Sequence, residues 1–353
     1  MRTRVLLPAL VLAAFVPANA AGAQVAQTAR ADADSTVQVT EWKVPWEKSR
    51  PRDPYVAPDG RVWFVGQAGN YVAVLDPKSG EFKRYEIDPG THPHNLIVDK
   101  QGMVWYAGNR NGMIGKLDPK TGEITRFAMP LADIRDPHTL VFDRTGENIW
   151  FTAQQSNYVG RLNVRTGKID AVRMQTPGAR PYGIVVDANG LVWFNQFGLP
   201  KIASIDPKTM AVKEYALPHE RARDRRIGLT SDGKVWYVDY TRGYLGRLDP
   251  ATGKVDEWEN PGGPLSLPYA MTVDDRDRVW FVETGLKPNR LVGFDSKTLK
   301  VVSITPIEES GGLTIRHMYY HAPTKSIWFG TDANTIGRAR VHPLSAKGET
   351  VSE

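Results

Sequence analysis

Arg180-Pro181-Tyr182-Gly183-Ile184-Val185-Val186-Asp187, a short turn, then Leu191-Val192-Trp193-Phe194 is the stretch from which the fold of this chain is read. A loop follows it, then Lys201-Ile202-Ala203-Ser204-Ile205-Asp206 and a Pro-Lys-Thr turn. The unit is written seven times, and Trp63, Trp105, Trp150, Trp193, Trp236, Trp280 and Trp328 mark its register. Their spacings of 42, 45, 43, 43, 44 and 48 residues suit a blade of four short strands. Each Trp opens or joins an apolar-aromatic pair, such as Trp63-Phe64 or Trp236-Tyr237, inside a β-rich run. Four antiparallel strands per repeat around a central channel is the plan of a β-propeller. The expectation is an all-β, seven-bladed β-propeller of four-stranded antiparallel blades over residues 37–341.

The two ends of the repeat array belong together. Val37-Gln38-Val39-Thr40-Glu41-Trp42-Lys43-Val44-Pro45 alternates like a strand and resembles the outermost strands that end later repeats, such as Phe82-Lys83-Arg84-Tyr85-Glu86-Ile87 and Val255-Asp256-Glu257-Trp258. The last repeat stops at Ile336-Gly337-Arg338-Ala339-Arg340-Val341 with no such strand behind it. The N-terminal strand is therefore expected to complete the last blade, which closes the ring and removes an exposed edge. Residues 342–353 are expected to form a loose tail.

Before the array, Arg2 and Arg4 precede an apolar run from Val5 to Val16 and the small-residue site Ala18-Asn19-Ala20. This reads as a secretory signal peptide over 1–23, cleaved after 20 or 23, and it is too short to span a membrane. Residues 24–36 read as a flexible leader, and the mature protein is expected in the periplasm or secreted. The chain has no cysteine, which excludes disulfides, thiolate metal sites and cysteine nucleophiles. Its formal charge of +6 is spread along the chain rather than gathered in a patch or stripe, so nucleic acid is not an expected partner. A closed propeller needs no second subunit, and a monomer is expected.

Asp76-Pro77-Lys78-Ser79-Gly80, Asp118-Pro119-Lys120-Thr121-Gly122 and Asp249-Pro250-Ala251-Thr252-Gly253 read as hairpin turns, with Pro presetting φ and Gly supplying a positive one. A calcium role for the recurrent Asp is the competing reading. The seven Trp read as packing between blades rather than as a ligand cage.

The innermost strand of each blade lines the channel. Aligned on the residue after Pro, its start carries Tyr55, His94, His138, Tyr182, Arg226, Tyr269 and His317, so that three of the seven histidines share one repeat position. A further ring, three residues after each Trp, carries Gly66, Gly108, Ala153, Gln196, Asp239, Glu283 and Thr331. These positions vary and are polar where packing positions keep one type, which points to a functional mouth; a merely solvated pore lining is the alternative. His94 and His138 on adjacent blades would share a metal or an anion. His317 and Glu283 would form an acid–base pair in which the carboxylate orients the imidazole. Asp239 would join Glu283 as an oxygen ligand for a hard cation such as Mg²⁺. Glu283 could instead pair with Arg226, and Arg226 could bind a carboxylate or lie solvated. No phosphate-binding Gly-rich loop, G-x-S-x-G elbow or H-E-x-x-H helix is present.

Pro93-His94-Asn95-Leu96, Trp280-Phe281-Val282-Glu283 and Ile114-Gly115-Lys116-Leu117-Asp118 resemble the inner, second and third strands of the virginiamycin B lyase family, the streptogramin B lyases. The resemblance implies ring opening of a cyclic depsipeptide lactone by elimination, with a histidine base and a carboxylate-held Mg²⁺ polarising the carbonyl. It places the family Glu at Glu283, but Tyr269 stands where that blade would carry the His, and Leu267 where a further carboxylate would precede it. The expected site is therefore His317 or His138 as base, Glu283 and Asp239 at the metal, and Tyr55, His94, Tyr182, Arg226 and Tyr269 around a small-molecule substrate. A metal-dependent lactonase or hydrolase, and a non-catalytic propeller binding a ligand or protein at the mouth, stand as alternatives.

Overall fold

Each repeat folds as its alternation dictates. Second strands such as Val62–Gly66 and Val104–Gly108 carry no charged residue and are buried on both faces. Outer strands such as Phe82–Glu86 and Ile124–Ala128 alternate and keep one face in solvent. In the computed structural model, which describes residues 35–346, the strands form seven four-stranded sheets, each antiparallel and each in chain order from the axis outward except the last. The inner strands are Pro51–Val56, Pro93–Val98, Pro137–Phe142, Pro181–Val186, Asp224–Leu229, Pro268–Val273 and Ile315–His321.

The last sheet is completed from the other end of the chain. Ser35–Lys43 pairs with Thr335–Ala346, with Trp42 opposite Ile336 and Gln38 opposite Arg340. The expected tail is corrected here: residues 342–346 continue the strand, because Thr36 and Ser35 reach Ser345 and Ala346 and supply hydrogen-bonding partners there. The expected signal peptide, most of the leader and residues 347–353 lie outside the described residues.

The marker tryptophans are buried, and an aromatic from the outer strand covers one ring after another: Tyr85 on Trp63 at 5.2 Å, Phe127 on Trp105 at 5.5 Å, Tyr215 on Trp193 at 5.4 Å and Trp258 on Trp236 at 5.5 Å. In the last blade that place is taken by Trp42, stacked on Trp328 at 5.5 Å, so the N-terminal strand substitutes in packing as well as in hydrogen bonding. Several indole N–H groups donate to a first-turn side chain six residues upstream, as Trp105, Trp193 and Trp280 do to Asp99, Asp187 and Asp274. Burying each such ring contributes roughly 1.5–3 kcal/mol. The turn aspartates Asp76, Asp118 and Asp249 accept backbone N–H groups two residues on, as local turn-makers do.

Candidate functional site

Where each inner strand begins, one extra residue is inserted against the second strand: Pro93 faces Gly108 and Leu96 faces Tyr106, three residues against two. The same shift occurs in all seven blades. Such bulges re-aim side chains and often lie beside active sites.

The register corrects the aligned ring. In the first blade Pro51, not Pro54, is the counterpart of Pro93, so Arg52 takes the place of His94. Tyr55 lies three residues further along and stacks on its counterpart Tyr319 at 4.4 Å. In the fifth and seventh blades Arg225 and Arg316 hold the position, and Arg226 and His317 come one residue later. The ring is thus Arg52, His94, His138, Tyr182, Arg225, Tyr269 and Arg316. Beneath it come Asp53, Asn95, Thr139, Gly183, Arg226, Ala270 and His317. A signal in the chain marks two of these: Arg52 and Arg225 lie eleven residues before their Trp, as His94, Tyr182 and Tyr269 do.

These residues form one buried network on the axis. The rings of His94 and His138 lie 3.6 Å apart and His138 lies 4.2 Å from Tyr182. Arg52 Nη1 donates to His94 Nε2 at 2.8 Å, and His94 Nδ1 donates to the His138 carbonyl at 3.2 Å. Thr139 Oγ1 lies 2.9 Å from His138 Nδ1 and accepts from Arg226 Nη1 at 3.2 Å. Burial, then the guanidiniums of Arg52 and Arg226, hold both imidazoles well below their ordinary range and therefore neutral. A metal shared by His94 and His138 is not supported, because both His94 nitrogens are engaged and a guanidinium occupies one.

Arg226 is 3% exposed rather than solvated. Its Nε donates to the Arg316 carbonyl at 2.8 Å, and its Nη2 stands 3.9 Å from Asp53. Asp53 also faces Arg52 at 3.5 Å and accepts from Asn95 at 2.9 Å. Burial opposes its charge, but Arg52, His317 and Arg226 outweigh it and hold the carboxyl at about 2. Burial brings His317 down to about 4 even though Asp53 pulls the other way.

On the rim side, Arg225 lies over the rings of Phe197, Tyr240 and Tyr269 at 4.2, 4.1 and 4.5 Å and donates to the Tyr269 hydroxyl at 3.1 Å. The Tyr182 and Tyr269 hydroxyls are hydrogen-bonded to each other. Burial would raise Tyr269, but the cations Arg225, Arg52 and Arg226, with the bond from Tyr182, leave it below the ordinary phenol range. Burial and the neighbouring Tyr269 push Tyr182 up to about 12.

Glu283 and Asp239 stand apart from this network. Both belong to second strands, opposite Pro268 and Asp224, and neither touches His317 or Arg226. Glu283 accepts from Arg290 Nε and Nη2 at 2.9 and 2.6 Å and from the Gly262 N–H at 2.6 Å. Asp239 accepts from Arg242 at 3.2 Å, from the Arg223 N–H at 3.0 Å and from Thr241. The Glu283–His317 pair and the Glu283–Arg226 pair are therefore not formed. Nor do the two carboxylates fit Mg²⁺, since both oxygens of each already serve protein donors, arginines foremost. Among the described residues, one grouping has ligand atoms close enough for a metal, Asp274, Asp275 and His342, and these are engaged by Arg278, Tyr320 and Lys325.

Seven four-stranded blades closed by the N-terminal strand, with polar side chains gathered on the axis, define a seven-bladed β-propeller with a candidate site at the inner-strand starts. The family model for the virginiamycin B lyase family matches residues 21–291, and the chain belongs to that family. A streptogramin B lyase structure superposes with a TM-score of 0.78 at 25% identity, covering 89% of this chain and 100% of that one. Virginiamycin B lyase from Staphylococcus aureus gives 0.77 at 22%, over 86% and 99% of the two chains. Its catalytically inactive histidine-to-alanine variant with quinupristin gives 0.77 at 23%, over the same shares. These last two likenesses concern the fold. No curated protein sequence matches.

Proposed function

We propose that this propeller is a carbon–oxygen lyase that opens a lactone by elimination, with Tyr269 as base and Arg225 as its charge partner. The observation that carries this is the hydroxyl of Tyr269, hydrogen-bonded to a guanidinium and to a second tyrosine, in the residue that stands where the resemblance puts the family's histidine base. Two titrating groups pushed apart by their surroundings divide the acid and base roles between them. Tyr182 keeps its proton and donates it toward Tyr269, whose oxygen is the better acceptor.

The step is balanced without water. The Tyr269 phenolate takes the proton on the carbon α to a carbonyl, the electron pair forms a carbon–carbon double bond, and the adjacent C–O bond breaks with the carboxylate as leaving group. Arg225, half-buried at the rim with Phe197 and Tyr240, stands where it can offset the developing enolate charge. The positively charged start and small-residue cleavage site support export of the protein to the periplasm or beyond.

Mass spectrometry of quinupristin incubated with the purified chain tests the reading. A ring-opened product of unchanged mass is expected, formed equally with a chelator present, and lost by about a hundredfold or more in Tyr269→Phe. A product heavier by one water would assign a hydrolase, and intact quinupristin would remove this lactone as substrate. Loss of activity with chelator would return a metal to the reaction.

A further inference from the structure

The channel beyond the ring is not filled. A cavity of about 330 Å³ runs from Thr139, Arg226 and His317 along apolar walls to Val186, Leu229 and Val273, and so opens where the inner strands finish. That is the end of the propeller opposite Arg225 and Tyr269. Val186, Leu229 and Val273 are partly exposed there, while Arg226 is buried.

The floor of this cavity is formed by Arg226 and His317. Behind it Arg52 and Arg226, both buried, face one carboxylate, Asp53, at 3.5 and 3.9 Å. Arg226 Nη2 and His317 Nδ1, whose residues line the cavity, are buried and make no hydrogen bond; behind them Arg52 Nη2 and Asp53 Oδ1 make none either. A buried guanidinium without a full set of acceptors is costly, and the cost is offset when an anion enters and accepts from it.

We propose that this second opening is a binding site for a small amphipathic carboxylate, its head group on Arg226 and His317 and its alkyl chain along Val185 and Met271. The bulge places the head-group residues one step deeper than the ring, with Val185 and Met271 on the walls leading to them, so that a bound carboxylate would meet charge-assisted donors at the buried end. The site is separate from the reaction proposed at the other mouth, and neither depends on the other.

Calorimetric titration of the full chain at pH 7 and low chloride, with hexanoate and with 1-hexanol, tests this. One hexanoate is expected to bind at least tenfold more tightly than the alcohol, since a charge-assisted hydrogen bond adds that much. Arg226→Gln is expected to lose at least tenfold in hexanoate affinity. Thr272→Phe, on the half-exposed wall, obstructs the channel with the floor intact and is expected to abolish binding; it decides alone if Arg226→Gln does not fold. Equal binding of acid and alcohol, no binding of hexanoate, or unchanged hexanoate affinity in Thr272→Phe would overturn the proposal.

Discussion

Asp224 shows how the fifth blade differs from its neighbours at the scale of one residue. It stands where five other blades have proline, fully buried, with neither carboxylate oxygen hydrogen-bonded and Asp239 opposite it. Burial, with Asp239 adding repulsion, raises its carboxyl well above the ordinary range. Folded Asp224 thus keeps a proton that the unfolded chain releases above about pH 4. Its contribution to stability falls as pH rises from there, by about 1.4 kcal/mol per unit of displacement until the folded group itself titrates. Asp224→Asn is expected to be more stable than the parent at pH 8 in urea unfolding, with the gap closing toward pH 4. A parent and variant that track each other across that range would show the carboxyl to be ionised and solvated. Tyr269 carries the same kind of prediction for catalysis: lactone opening should rise with pH as Tyr269 loses its proton, and Tyr269→Phe should leave no such limb in the profile.

The elements are specified by aromatic contacts between strands. Gly115 of the Ile-Gly-Lys-Leu-Asp strand lies under the Tyr106 ring, and a Cβ there would meet it at 2.1 Å. Gly246 under Tyr237 and Gly337 under Phe329 repeat the arrangement at 2.0 and 2.2 Å. Gly115→Ala is therefore expected to destabilise by about 1–3 kcal/mol, read as a lower urea midpoint with an unchanged slope. A midpoint equal to the parent's would mean that the ring moves aside freely. The inner strands obey a different logic. Their bulges turn two successive residues toward the axis, so the residue after proline is not by itself the site position. This is why Arg226 and His317, read as ring members, lie one layer below it, and why Tyr55 lies elsewhere.

At the scale of the whole molecule, one strand from the chain's beginning holds the ring shut. Ser35–Lys43 supplies the last blade's edge, Trp42 covers Trp328, and Glu41 accepts from Ser310 and Thr335. Removing residues through Lys43 would leave Thr335–Ala346 as an open edge. The truncated chain is expected to melt lower and to self-associate, measured by calorimetry and light scattering. A monomeric, equally stable product would show that the other six blades carry the closure.

The seven-bladed plan, the N-terminal closure and the family are legible in the chain, because they rest on local periodicity, turn chemistry and a Trp that recurs in register. The chain also brought His94, His138, Tyr182 and Tyr269 to the axis, where proline and Trp together mark their place. It did not decide which polar residues meet. Glu283 looks free in the chain, yet Arg290, directly opposite on the next strand, claims it. Asp53 and Arg52 were hidden by two prolines three residues apart, either of which fits the repeat. Such pairings depend on a one-residue shift between strands and on contacts made around a closed ring. Side-chain reach across those contacts is a property of the tertiary structure, and the register put Arg52, Arg225 and Arg316 at the three ring places where the chain alone suggested Tyr55, Arg226 and His317.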